Sequence, residues 1–271
     1  MMARIAVVIN ADDLGMDREV NDATFGLMAR GRITSATILA NAPATLEAAR
    51  GALRFPRWSF GVHLNLTQFE PLTGGADARA LVDGRGRMSR ANERATPARV
   101  RAAYRELCAQ VERVASLGVR ISHLDSHNHV HTRPAYFPVL KAIQKRYGIR
   151  HVRLTKTFYA PDNPCPPHLL RKKRAYNAAL RSIYLTQTTG DFSEFLTYYR
   201  AEPAIQRSIH SIELMVHPGA SSAADEAAIV GCDWIAGTGL PIELISYREV
   251  PASAGSAAAR AVARGGLRPC A

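Results

Sequence analysis

Residues 4–10 (RIAVVIN) form an almost wholly apolar run that gives way directly to the acids Asp12 and Asp13. A strand with one wet face would alternate apolar and polar residues. A continuous apolar run of this length fits a strand buried on both faces, the condition of a parallel sheet covered by helices. The chain therefore reads as α/β from its first ten residues, with charged chemistry at the end of its first strand.

The alternation continues along the chain. A helix is expected over 19–30, ended by Gly31, and strands over 33–40 and 59–66. The clearest helix takes Thr96 as N-cap and Pro97 as its first residue. Val100, Ala103, Tyr104, Leu107, Val111, Val114 and Leu117 recur along it at spacings of three and four, and Gly118 stops it. A strand over 121–125, a helix over 134–147 and a strand over 151–155 follow. Asp191 with Glu194 resembles a capping box for a helix through Tyr199. The last two strands are expected over 213–217 and 242–247, and long connections over 74–92 and 155–167.

Seven or eight βα units in 271 residues favour a single TIM-like (β/α) barrel over an open sheet. One barrel domain is expected over 1–250. The tail, 251–271, is Ala, Gly, Ser and Arg with little to bury, and is expected to be disordered.

The net charge of +12 would attract polyanions without specifying one. Most of it is Arg spread along the chain, with one true run, Arg171, Lys172, Lys173 and Arg174, that reads as a solvated helix face. No nucleic-acid-binding signature accompanies it, so no specific nucleic-acid partner is expected. Cys108, Cys165, Cys232 and Cys270 are far apart, which speaks against a disulfide framework or a thiolate zinc site. The N-terminus is too short and too acidic for a signal peptide, and no apolar stretch approaches a membrane span, so a cytoplasmic protein is expected.

Residues that bind metals collect where strands end. Asp12 and Asp13 follow the first strand, His63 lies late in the third, and His217 closes the run ELMVH. The segment HLDSHNHVH brings Asp125 together with His123, His127, His129 and His131. Four His within nine residues would be costly to bury without partners. In α/β barrels the carboxyl ends of the strands converge on one mouth, where active sites sit. Imidazole and carboxylate together suit zinc and similar metals. Composition and spacing alone thus reach a metal-dependent hydrolase.

The segments INADDLG, RITSATILAN, FGVHLNLT, ISHLDSHNHVH and LMVHPG, in this order, resemble the YdjC-like carbohydrate deacetylases from about Arg4 to Gly219. The resemblance implies a (β/α) barrel that removes acetyl groups from N-acetylated sugars or glycoconjugates with one divalent metal ion, zinc or magnesium. It implies Asp13, His63 and His127 as metal ligands, Asp12 as catalytic base and His217 as general acid. The chain departs from the family at Leu14, where Phe is usual, and at Asn128, where a His-His-His run is common.

Asp125, His129 and His131 are left without a ligand role. One of them at least is expected to orient a ligand imidazole, and a continuing strand would put Asp125, His127 and His129 on one face. Arg153 is a candidate for binding substrate. Trp58, Trp234, Tyr198 and Tyr199 are read as core. The same Asp/His/His set would serve a hydrolase of a phosphoester or another amide, and a basic, non-catalytic polyanion-binding protein is the remaining alternative. The sugar and the oligomeric state are not specified by the sequence.

Overall fold

The computed structural model describes residues 4–89, 95–160, 162–184 and 186–250. The expected tail, 251–271, lies outside them. Eight strands form one sheet, and every strand pair in it is parallel. They are β1 (Ile5–Leu14), β2 (Ser35–Ile38), β3 (Ser59–Leu64), β4 (Ile121–Ser126), β5 (His151–Val152), β6 (Asp191–Glu194), β7 (Ser211–Val216) and β8 (Ile242–Leu244). The order is β5-β4-β3-β2-β1-β7-β6, with β8 against β1.

β1 organises the sheet. On one side Ala6 to Ala11 pair with β7. Its other side is divided, Ile5 to Val7 pairing with β8 and Asn10 to Leu14 with β2. Val7, Val8, Ile9 and Ala11 are fully buried, as the unbroken apolar run requires.

The sheet curls into a TIM-like barrel. Its two ends meet through irregular backbone rather than a strand ladder: Val152 N–H donates to Gln187 O (3.1 Å) and Thr157 N–H to Phe192 O (3.0 Å). The connections carry α1 (Arg18–Ala29), α2 (Thr45–Ala52), α3 (Gly75–Leu81), α4 (Pro97–Ser116), α5 (Phe137–Tyr147), α6 (Pro167–Ser182), α7 (Phe195–Tyr199), α8 (Pro203–Arg207), α9 (Ala224–Gly231) and α10 (Trp234–Thr238). Among the described residues no helix is long and apolar enough to cross a membrane.

The strongest local signals hold. Thr96 caps α4, its hydroxyl accepting from Arg99 N–H at 3.2 Å, and Gly118 follows the helix with φ +86°. Elsewhere the structure corrects the reading. Asp191 and Glu194 are not a capping box but the two ends of β6; the helix starts only at Phe195, with no side-chain cap from Glu194. Two acids three apart also flank a short strand whose middle residues, Phe192 and Ser193, are buried.

The strand expected over 151–155 ends at Val152, and the helix expected over 134–147 opens as a 3-10 turn, Pro134–Tyr136. The connection over 74–92 contains α3. The last strand stops at Leu244, and a 3-10 turn, Tyr247–Glu249, follows with its own capping box from Ser246 and Glu249.

That turn closes the amino-terminal end of the barrel. Tyr247 is fully buried, its ring stacked on His123 with centroids 3.8 Å apart, and its N–H donates to Ser59 Oγ (3.0 Å). Room for His123 comes from Gly61 on β3. A Cβ there would lie 2.7 Å from the His123 ring and from its carbonyl oxygen, closer than any side chain tolerates.

Candidate metal centre

Consecutive residues of a strand point to opposite faces. Asp12 and Asp13 nevertheless both reach His63, because the pairing of β1 with β2 shifts register between Ala11 and Leu14 and Asp13 takes φ +63°. Asp is among the few residues that visit this left-handed conformation at modest cost. The kink is the local device that turns two adjacent acids into one site.

Around Asp13 the donors converge. Its Oδ1 lies 2.7 Å from His127 Nδ1 and 3.2 Å from His63 Nε2. Nδ1 of His63 in turn lies 2.7 Å from Asp125 Oδ1, and Thr37 Oγ1 donates to Asp125 Oδ2 at 2.9 Å. Nε2 of His127 lies 2.8 Å from Gln68 Oε1. Each imidazole therefore has one nitrogen on Asp13 and the other against an oxygen of a neighbouring side chain. That arrangement selects the tautomer and ring orientation of a metal-binding histidine.

The donor set fits a divalent metal. One oxygen of Asp13 and one nitrogen each of His63 and His127 lie within 4.8 Å of one another. A second group, Asp12, His63 and Asp125, is equally close. It is occupied by Arg153: Nη1 and Nη2 reach Asp12 at 2.6 Å and Nη2 reaches Asp125 at 2.9 Å. A cation placed there would meet a guanidinium, so the first group is the one that could hold it.

Electrostatics point the same way. Asp12, Asp125 and Glu213 gather round the guanidinium of Arg153, while Asp13 faces the two imidazoles. Burial works to raise the Asp12 carboxyl, but Arg153 and then His63 outweigh it and hold it well below the usual carboxylate range. Burial likewise opposes ionisation of Asp13, and hydrogen bonds from His127 and His63 carry it lower still. His63 is pushed up to about 10, burial being overcome by Asp125 and Asp12.

Arg153, expected to meet substrate, has no exposed surface. Nε donates to Glu213 at 2.7 Å, and Tyr247 OH donates to the same carboxylate. With its donors directed at Asp12, Asp125 and Glu213, this guanidinium holds Asp12 in place instead of facing a ligand.

His217 follows β7 at the mouth. Its N–H donates to the buried Glu226 carboxylate (2.9 Å), and it is close enough to Asp12 to help hold that carboxyl down. Gly219, two residues on, is positioned by close packing: a Cβ there would lie 2.8 Å from the Val20 Cα on α1.

The strand imagined to carry Asp125, His127 and His129 on one face ends at Ser126. His127–Thr132 is a 3-10 segment in which Asn128 (φ +52°) and His129 (φ +53°) are left-handed. Asn tolerates that conformation better than most residues, which gives Asn128 a physical reason. His131 turns inward to Ser126 Oγ and the Arg153 carbonyl, and His129, driven down to about 4 by burial and then by Arg153, packs edge-on to Phe192. Trp234 and Tyr198 are core residues, Trp58 packs against the core, and Tyr199 is partly exposed.

The profile of the YdjC-like protein family matches residues 6–244. The chain belongs to this family. Among curated relatives of this YdjC-like chain, a carbohydrate deacetylase of Geobacillus stearothermophilus is 41% identical over 156 residues, 57% of this chain and 62% of the relative. One from Vibrio campbellii is 34% identical over 165 residues, 58% and 64% of the two chains. These matches span less than two thirds of the relatives' own length. A carbohydrate deacetylase of Vibrio parahaemolyticus matches more of the YdjC-like chain, 76%, at 27% identity, and 84% of its own length is covered. A solved structure from Enterococcus faecalis V583, provisionally named a cellobiose-phosphate cleavage protein, superposes with a TM-score of 0.74 at 21% identity. The superposition covers 91% of this chain and 98% of that one, and shows the common fold.

Proposed function

We propose that this YdjC-like protein is a metal-dependent deacetylase that hydrolyses the acetamide of an N-acetylated sugar or glycoconjugate to acetate and a free amine. The observation that carries the reading is the convergence of Asp13, His63 and His127 beside a second acid, Asp12, that is held by Arg153. The three curated relatives described above, each named a carbohydrate deacetylase, support the substrate class.

An acetamide resists water because its carbonyl is a weak electrophile and its nitrogen a poor leaving group. Asp13, His63 and His127 would hold a divalent metal, which would supply Lewis acidity at that carbonyl. Asp12 accepts the proton of the attacking water; Arg153 keeps its carboxylate ionised and its two oxygens fixed. His217, at the end of the neighbouring strand β7, gives a proton to the departing nitrogen. Asp125 and Gln68 hold the two imidazoles from behind, so that with a metal bound the nitrogens facing Asp13 would be the ones turned to it.

The test is acetate release from N-acetylglucosamine oligomers and glycoconjugates with added zinc, magnesium or chelator. Metal-dependent release that is lost in Asp13→Ala is the expected result. Bound metal with no acetate from any substrate would leave the centre standing and turn the reading toward another hydrolysis.

A further inference from the structure

We infer that Gln68 is a positioning residue for His127, and that a chain of buried side chains starting on α4 exists to present it. The inference rests on the metal-site reading above and concerns a loop, residues 65–73, that follows β3.

Among the polar residues that α4 buries, Glu106 and Gln110 have no exposed surface at all. Four residues apart, they are neighbours on the helix, and Gln110 Nε2 donates to Glu106 Oε1 at 2.8 Å. Burying them costs free energy unless each polar atom is met. What meets them is the loop. Glu106 accepts from Leu72 N–H (3.1 Å), Thr73 N–H (2.9 Å) and Thr73 Oγ1 (2.9 Å). Gln110 grips Asn65 at both backbone groups, Oε1 accepting its N–H at 2.9 Å and Nε2 donating to its carbonyl at 2.7 Å.

Asn65 repeats the grip one step further out. Fully buried itself, it accepts the Gln68 N–H on Oδ1 (3.2 Å) and donates from Nδ2 to the Gln68 carbonyl (2.7 Å). Asn41 adds a second donor to the same carbonyl at 3.3 Å. The backbone of Gln68 is thus clamped at both ends while its side chain reaches His127 Nε2. Next door, Asn128 Nδ2 donates to Thr67 Oγ1 at 2.9 Å, tying the turn that carries His127 to the same loop.

A loop needs no such chain merely to connect a strand to a helix. Its product is one carboxamide oxygen facing one imidazole nitrogen. With a metal bound, an acceptor there would fix His127 in the Nε2–H form and leave Nδ1 to face the metal. Gln68 thereby does for His127 what Asp125 does for His63.

The test measures zinc affinity by chelator competition in wild type, Gln68→Leu and Gln68→Glu, together with the imidazole nitrogen-15 shifts of His127 in the zinc-loaded proteins. Gln68→Leu, which removes the acceptor at similar size, is expected to bind zinc 10- to 100-fold more weakly (a range of about that size follows loss of such a partner), with the thermal midpoint of the metal-free protein held. Gln68→Glu, which keeps an acceptor, should restore most of the affinity and the Nε2–H shift pattern. Wild-type affinity in Gln68→Leu, or equal weakness in Gln68→Glu, would overturn the inference. Wild type that takes up no zinc would overturn this inference and the metal-site reading together. Zinc uptake without acetate release would count against the deacetylase reading alone.

Discussion

Nδ1 of His63 lies 2.7 Å from Oδ1 of Asp125, so the opposite nitrogen of the ring is the one turned to Asp13. Asp125 has no exposed surface and is itself fixed by Thr37 and Arg153. Replacing it with Ala leaves only the Thr37 hydroxyl, 3.1 Å from Nδ1, to hold the ring and its proton. Metal affinity, read by chelator competition, is expected to fall by about 10- to 100-fold. Undiminished affinity would show that the packing round His63 suffices to orient it.

Asp12, Asp125 and Glu213 share the guanidinium of Arg153. Arg153→Met leaves buried carboxylates without their counter-charge and is expected to cost on the order of 3–5 kcal/mol in urea unfolding. Arg153→Lys should recover part of this and little activity, since one ammonium cannot bond both oxygens of Asp12 and reach Glu213. A Met variant of near wild-type stability would mean that the carboxylates protonate at small cost.

Glu213 gives a pH signature. Burial is the main cause, helped by Asp125 and Asp12 and opposed by Arg153 and Tyr247, and it lifts the carboxyl from 4.5 to about 7. Between those values the folded chain holds a proton that the unfolded chain has released. The contribution of Glu213 to stability is therefore complete below about pH 4.5 and is lost as pH rises through 7. In the metal-free protein, urea midpoints at pH 5 and 7.5 should differ more for wild type than for Glu213→Gln. Identical differences would remove Glu213 from the pH response.

Two changes near the end of β7 separate chemistry from placement. His217→Ala should lower kcat by roughly 10²- to 10⁴-fold with little change in KM or in metal affinity. Gly219→Ala must adopt φ +83° and set a Cβ 2.8 Å from the Val20 backbone, so the loop bearing His217 has to shift. It is expected to lose about 1–3 kcal/mol of stability and part of kcat together. Full turnover in His217→Ala would take that residue out of the mechanism.

Much of the site was legible because strand ends announce themselves. The apolar run before Asp12 and Asp13, the late position of His63 and the acid and histidines at the end of β4 all follow from burial of a parallel sheet. That Asp12 and Asp13 share a site was expected; how two adjacent acids reach it was not legible, since that depends on one left-handed residue. Arg153 was seen but misplaced, because a charged residue just after a short strand gives no sign of which way it turns.

Gln68 was missed altogether; a lone Gln in a loop carries no local signal. Its support was visible in principle. Glu106 and Gln110 interrupt the apolar face marked by Ala103, Leu107 and Val111, and polar residues so placed imply buried partners. Tyr247 was absorbed into an overlong strand, because the apolar pattern of Ile242 to Tyr247 continues past the last ladder bond.

The plug formed by Tyr247 has a consequence for how the protein is made. Every side chain assigned to the metal centre and its chemistry has been synthesised by residue 217. The groups that seal the barrel beneath them pair across the chain: Tyr247 with Ser59 over 188 residues, Ile245 with Thr34 over 211. A nascent chain emerging from the ribosome would thus expose the underside of its central strands until the turn at Tyr247 arrives. Contacts of such separation fold slowly. The interval in which this chain is open to aggregation ends with the arrival of Ile245 and Tyr247, and the metal site is not braced from below before then.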